Sequence, residues 1–182
     1  MKFLFLQVAF LFASSVGKGQ DIPRSANEIM KEAFDRAAKE HKNVFVIFHA
    51  SWCGWCHQMD SSMNDSSCKQ YFNDSYVIRH LVVYESRGKE DRENPGAMYL
   101  LRKYYGDEQG IPFWMIFDKS GNLLASSRSG TIGNVPKDQG ENVGCPATDK
   151  EVNYFIAVLK NTSVLDAEQE DAIRKRFSRN NE

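Results

Sequence analysis

Val44-Phe45-Val46-Ile47-Phe48-His49-Ala50-Ser51-Trp52-Cys53-Gly54-Trp55-Cys56-His57 is the stretch on which the reading of this chain turns. Val44–Ala50 is an apolar run of the kind that forms a strand buried on both faces. From Cys56 onward, apolar residues recur at Met59 and Met63, the spacing of a helix. Two cysteines three residues apart therefore sit where a strand hands over to a helix. That junction makes the first sulfur a good nucleophile and brings the second within reach to close a disulfide.

Working outward, Ser25-x-x-Glu28 is a capping box that opens a helix with Ile29, Met30, Ala33, Phe34 and Ala37 on one face. That helix ends near His41-Lys42-Asn43. Asn73-Asp74-Ser75 is expected to break the chain, and Tyr76–Tyr84 to form a second central strand. Asn94-Pro95 is expected to cap and start a helix with Met98, Leu101 and Tyr105 inward. Gly110–Asp118 is a third apolar strand with Pro112 at its entrance, and the Asp118–Gly121 turn leads to a fourth, Asn122–Arg128. Gly130 to Pro146 is a long loop. Thr148-x-x-Glu151 opens a helix carrying Val152, Phe155, Ile156 and Leu159 inward, and Asp166–Phe177 is a last helix. Strands separated by helices imply parallel pairing and a mixed sheet covered on both faces.

The N-terminus is read as a signal peptide. Met1-Lys2 precedes an apolar run from Phe3 to Val16, followed by the small residues Gly17 and Gly19. The run is shorter than the roughly 20 residues a membrane span needs. Export with cleavage after Gly19 or Gln20 is expected, leaving one domain's worth of chain. Without Lys2 and Lys18, 21 of the 23 basic side chains remain against 24 acidic ones, a net charge of about −3. That balance implies no nucleic-acid partner.

The segment Phe48-His49-Ala50-Ser51-Trp52-Cys53-Gly54-Trp55-Cys56, with Tyr105-Gly106 and then Gly110-Ile111-Pro112 ahead of an apolar strand, resembles the thioredoxin superfamily. It is most similar to secreted bacterial members with a Cys-Gly-Trp-Cys centre, over roughly residues 25–160. The resemblance implies an α/β, thioredoxin-like fold: a mixed central sheet of about four to five strands flanked by helices on both faces. With the N-terminal reading, the chain is expected to divide into a signal peptide (1–20), a thioredoxin-like domain (25–162) and a C-terminal helical extension (163–182).

It also implies Cys53 as the attacking thiol, Cys56 as the resolving thiol and Pro112 as a cis-proline. Ile111 would pair with an extended substrate, and Trp52, Gly54 and Trp55 would flank the site. One position departs from the pattern: Ile47 stands where well-studied members bury a carboxylate beneath the second cysteine. His49 and His57 are the candidates for its role by proximity in sequence.

The chemistry follows from ionisation. A helix N-terminus lowers a cysteine pKa from about 8.5 into a range of roughly 3.5–7.5. Cys53 is thus expected to be an exposed thiolate and Cys56 a more buried thiol. Cys53 attacks a disulfide, and Cys56 then cleaves the mixed disulfide. No bound cofactor is needed. The expected partners are cysteine-containing exported proteins and a membrane thiol reductase or oxidase, with the protein itself a monomer.

Other readings share the same residues. Cys53-x-x-Cys56-His57 also fits c-type haem attachment, with Met98 or Met115 as a distal ligand. Zinc could draw on Cys53, Cys56 and His57 with Cys68 or Cys145, although adjacent Cys56 and His57 diverge on a helix. A non-catalytic binding module is a third possibility. Cys68 and Cys145 are expected to pair as a structural disulfide in an oxidising compartment.

Overall fold

The structure, a computed structural model, describes residues 22–129 and 140–182. The expected signal peptide over residues 1–20 lies outside the described residues, as do positions 130–139 of the expected loop.

Helix α1 (Ala26–Glu40) starts at the expected capping box: the Ser25 hydroxyl accepts from the Glu28 N–H, and the Glu28 carboxylate accepts from the Ser25 N–H. Such a cap contributes about 1 kcal/mol. His41, with φ of 55°, turns the chain out of the helix. Strand β1 (Asn43–His49) follows, running parallel to β2 (Tyr76–Val82) and antiparallel to β3 (Phe113–Phe117), which pairs with β4 (Leu123–Ser126). The strand order is β2-β1-β3-β4.

Because side chains alternate along a strand, β1 and β3 supply both cores. Phe45, Ile47, Trp114 and Ile116 face one core, together with residues of the helices α2 (Gly54–Met63), α3 (Lys69–Ser75), α5 (Asp149–Thr162) and α6 (Ala167–Ser178). Val44, Val46, Phe48, Phe113, Met115 and Phe117 face the other, under α1 and α4 (Ala97–Lys103). The expected α/β architecture with helices on both faces is observed, with four strands among the described residues.

Four local expectations are corrected. β2 is an edge strand, not a central one, and its Ile78, Arg79 and His80 are only half-buried. Asn73-Asp74-Ser75 does not break the chain but completes α3, which Tyr71 and Phe72 anchor in the core. α4 begins after Gly96 (φ 86°) rather than at Asn94-Pro95. Asn94 instead bridges two segments, accepting from the Val82 N–H and donating to the Arg24 carbonyl. Tyr105, expected to point inward, is 52% exposed because its own φ of 57° turns it out.

The second half closes the first core. Thr148 and Glu151 form the expected capping box of α5, and Asp166 and Gln169 form another for α6. Ile173 and Phe177 of α6 are fully buried, and the Phe177 ring lies 4.9 Å from that of Phe155.

Candidate active site

β1 ends at His49, and the chain turns so that the Cys53 N–H donates to the Ala50 carbonyl at 3.1 Å. Cys53 caps α2 with extended backbone (φ −79°, ψ 100°), and its Sγ accepts the Cys56 N–H at 3.1 Å. A sulfur therefore stands where a serine or aspartate oxygen usually caps a helix. There a backbone N–H and the positive end of the helix dipole favour a negative charge. Cys53 and Cys56 are joined as a disulfide.

The site is more enclosed than its sequence implies. Cys53 is 3% exposed, not an open side chain, and Cys56 is 1% exposed. Ala50 and Ile111 pack over both. The Ile111–Pro112 bond is cis, and the Ile111 carbonyl lies 3.6 Å from Cys53 Sγ. What faces solvent is aromatic: Trp52 and Trp55 are each more than half exposed. Trp52 is held by a 2.7 Å bond from its indole N–H to the Tyr84 carbonyl. Ser51 is tied by its N–H and hydroxyl to the Glu85 carboxylate. A cleft of about 370 Å³ opens beside the disulfide, lined in part by Trp55, Ile111, Pro112, Asn142, Cys145 and Glu151.

Ile47 is buried with Met59, Met63 and Trp114, so no carboxylate lies at that position. A different titratable group is gathered nearby. Asp60 lies one helical turn beyond Cys56, and its carboxylate is 2.7 Å from His80 Nε2. The His80 ring is 5.1 Å from that of His49. Burial, reinforced by the charge of His80, pushes the His49 pKa down, while Asp60 opposes the shift. His57 turns away, its Nε2 lying 3.0 Å from the Ser51 carbonyl. Sequence reading offered His49 and His57 but missed Asp60 and His80. Asp60 could have been found from its i+4 spacing to Cys56; His80 needed the register of β2 opposite Ile47.

The expected Cys68–Cys145 disulfide is not formed: both are free, buried thiols. Each sulfur is partnered elsewhere. Cys68 donates to the Ser62 carbonyl at 3.1 Å, and Cys145 accepts from Asn180 Nδ2 at 3.3 Å. Burial pushes both pKa values up, that of Cys145 to about 12. The residues of the haem and zinc readings are not gathered. Met98 and Met115 belong to the core on the other sheet face. Among the described residues, no group of three His, Cys, Asp or Glu side chains is placed to hold a metal ion.

Residues 26–119 match the profile of the family described as thioredoxin-like. The chain belongs to the thioredoxin-like family. Its relatives include protein disulfide-isomerase A5 of Mus musculus, 49% identical over 93 residues that make up 48% of this chain and 18% of that protein. The chain thus spans less than a fifth of that relative's length. Among solved structures, a disulphide isomerase from Xylella fastidiosa Temecula1 aligns over 92% of this chain and 97% of its own, at 18% identity and a TM-score of 0.48. A DsbH oxidoreductase aligns over 82% of this chain and 95% of its own, at 20% identity and a TM-score of 0.42. Cys53, Cys56, Ile111 and Pro112 fall inside the thioredoxin-like match, whereas Asn142, Cys145 and Asn180 lie beyond it.

Proposed function

We propose that this chain is a thiol–disulfide oxidoreductase that acts on exported, cysteine-containing proteins through the Cys53/Cys56 couple. The observation that carries the reading is the Cys56 N–H aimed at Cys53 Sγ, 3.1 Å away, at the first turn of α2. In the reduced protein the same N–H would face a thiolate, and hydrogen bonds to a charged acceptor are about twice as strong as neutral ones.

The cycle is then simple to write. Cys53 thiolate attacks one sulfur of a substrate disulfide, and the other substrate sulfur leaves as a thiolate. Cys56 loses its proton and attacks Cys53 Sγ, which releases the second substrate thiol and leaves the Cys53–Cys56 disulfide. The substrate gains two electrons and the couple loses two. The Cys56 proton leaves toward His49 and the Asp60–His80 pair, which stand in for the carboxylate that Ile47 replaces. Run in reverse, the same steps oxidise a dithiol. Trp52 and Trp55 frame the approach, and an extended substrate lies beside Ile111 and Pro112.

Residues 1–20 serve as a leader removed on export, 25–162 form the redox domain, and 163–182 pack against it. Outside the cytoplasm a reductant of this kind draws electrons from a membrane thiol reductase, and an oxidant passes them to a membrane oxidase. The test is reduction of insulin by dithiothreitol, with Cys53→Ser as control. Catalysis by the wild type alone supports the reading; equal rates for both proteins overturn it. The reduction potential of the couple then fixes the direction of electron flow.

A further inference from the structure

Two asparagines brace the cleft beside the disulfide, Asn142 from its lining and Asn180 from behind Cys145. Asn142 stands at one wall. Its Nδ2 donates to the carbonyls of Gln109 (3.1 Å), Gly110 (3.3 Å) and Pro112 (3.0 Å), while its Oδ1 accepts the Gly144 N–H at 3.0 Å. The cis-proline segment is thereby strapped to the segment that leads to Cys145.

Asn180 stands behind the other wall, in a short 3-10 turn over Arg179–Asn181, and reaches the cleft through its bond to Cys145, which lines it. Its Oδ1 accepts from Gln58 Nε2 (2.8 Å), Ser62 Oγ (3.0 Å) and Arg176 Nη1 (3.0 Å). Its Nδ2 donates to the Pro146 carbonyl (2.8 Å) and to Cys145 Sγ (3.3 Å). Gln58 and Ser62 belong to α2, the helix that carries Cys56. Hydrogen bonds therefore run from α2 through Asn180 to Cys145-Pro146, and through Asn142 to Pro112. Pro112 follows Ile111, whose carbonyl lies 3.6 Å from Cys53 Sγ, a contact without a hydrogen bond because a disulfide sulfur carries no proton.

The two functional walls of the cleft come from elements far apart in sequence, so this chain of bonds sets the distance between them. Residues of the C-terminal turn contribute directly: Asn181 lines the cleft, and Arg179 and Asn180 line a second one on the far side of Trp55. At about 370 Å³ the first cleft is at the small end of ligand sites, which span roughly 300–1,000 Å³. That size suits the residues flanking one cysteine of an extended peptide.

We propose that Asn180 is a positioning residue for substrate binding, holding the Cys145–Pro146 segment against the active-site helix so that the cleft keeps the width an extended peptide disulfide requires. The inference rests on the thiol–disulfide exchange reading above. An amide suits the position because it accepts and donates at once. A carboxylate keeps the bonds from Gln58, Ser62 and Arg176 but cannot donate to Pro146 or Cys145.

The experiment compares wild type, Asn180→Ala and Asn180→Asp on a peptide containing one disulfide, measuring KM and kcat separately. It also measures iodoacetamide alkylation of Cys145 in the native, reduced proteins. Asn180→Asp, which loses the two donated bonds, is expected to raise KM about tenfold with kcat within about twofold, and Asn180→Ala, which loses all five, to raise KM at least as much. Alkylation of Cys145 is expected to speed up by about tenfold as the segment loosens. An unchanged KM, or an unchanged Cys145 rate, overturns the proposal. Should Asn180→Ala not fold, Asn180→Asp carries the test, since it keeps the three bonds to α2 and α6. Absence of turnover in the wild type would sink the oxidoreductase reading, and the Cys145 rates would still judge the latch.

Discussion

The chain holds two pairs of cysteines with opposite fates. Cys53 and Cys56 are bonded to each other at the start of a helix, with a backbone N–H on the first sulfur. Cys68 and Cys145 are free thiols in the core, each held by a polar partner. Burial does not separate them, since all four side chains are less than a tenth exposed. What differs is the field at the sulfur. A helix N–H faces Cys53 Sγ and stabilises an anion there, whereas Cys68, although it is the N-cap of α3, takes no such bond, and burial opposes the anion at both Cys68 and Cys145. Among side chains buried alike, a backbone N–H aimed at the sulfur favours the thiolate, and where none faces it burial pushes the pKa up.

The strongest way to break the comparison is mutation within each pair. Cys53→Ser is expected to abolish disulfide exchange, and Cys56→Ser to accumulate the mixed disulfide with substrate, visible on non-reducing gels. Cys68→Ala should keep full exchange activity; a loss comparable to that of Cys53→Ser would erase the distinction.

Thiol reactivity sharpens it. A group held near pKa 12 is ionised only to about one part in 10⁴ at pH 8, so native Cys145 should alkylate orders of magnitude more slowly than Cys53 of the reduced protein. Mass spectrometry of partly labelled, reduced protein reads both rates together. In denaturant the two should converge.

Packing gives a third handle. Phe177 is fully buried in the core that also holds Cys68 and Cys145. Phe177→Ala should cost about 3–5 kcal/mol in urea unfolding. It should also open both free thiols to alkylation while leaving the Cys53 rate unchanged.

The smallest effect concerns His49, whose pKa is lowered in the folded state. The unfolded chain then binds a proton near pH 6.5 that the native protein refuses. This contribution to stability is present above that pH and lost as pH falls below it. His49→Gln should reduce the fall in Tm between pH 7 and pH 5 by a few degrees, and an identical fall in the variant would refute the assignment.

Much of this protein is written locally. The boxes at Ser25 and Thr148 close within a single turn, β1 is a seven-residue strand in a run too apolar for an edge, and the Cys-x-x-Cys spacing fits one helical turn. Each of these is decided by residues that are neighbours in the chain, so sequence alone determined them, together with the layered α/β plan and the place of the redox pair.

Other features were decided only when distant segments met. β2 became an edge strand because β3 took the other side of β1, and Asn73-Asp74-Ser75 stayed helical because Tyr71 and Phe72 were drawn into the core. Cys68 and Cys145 stayed apart, and Asn180 came to rest between α2 and the Cys145–Pro146 segment. Those outcomes depend on which carbonyl, amide or ring arrives from far along the chain. No local spacing encodes that, because the energies that choose it are released only when the two sheet faces are covered.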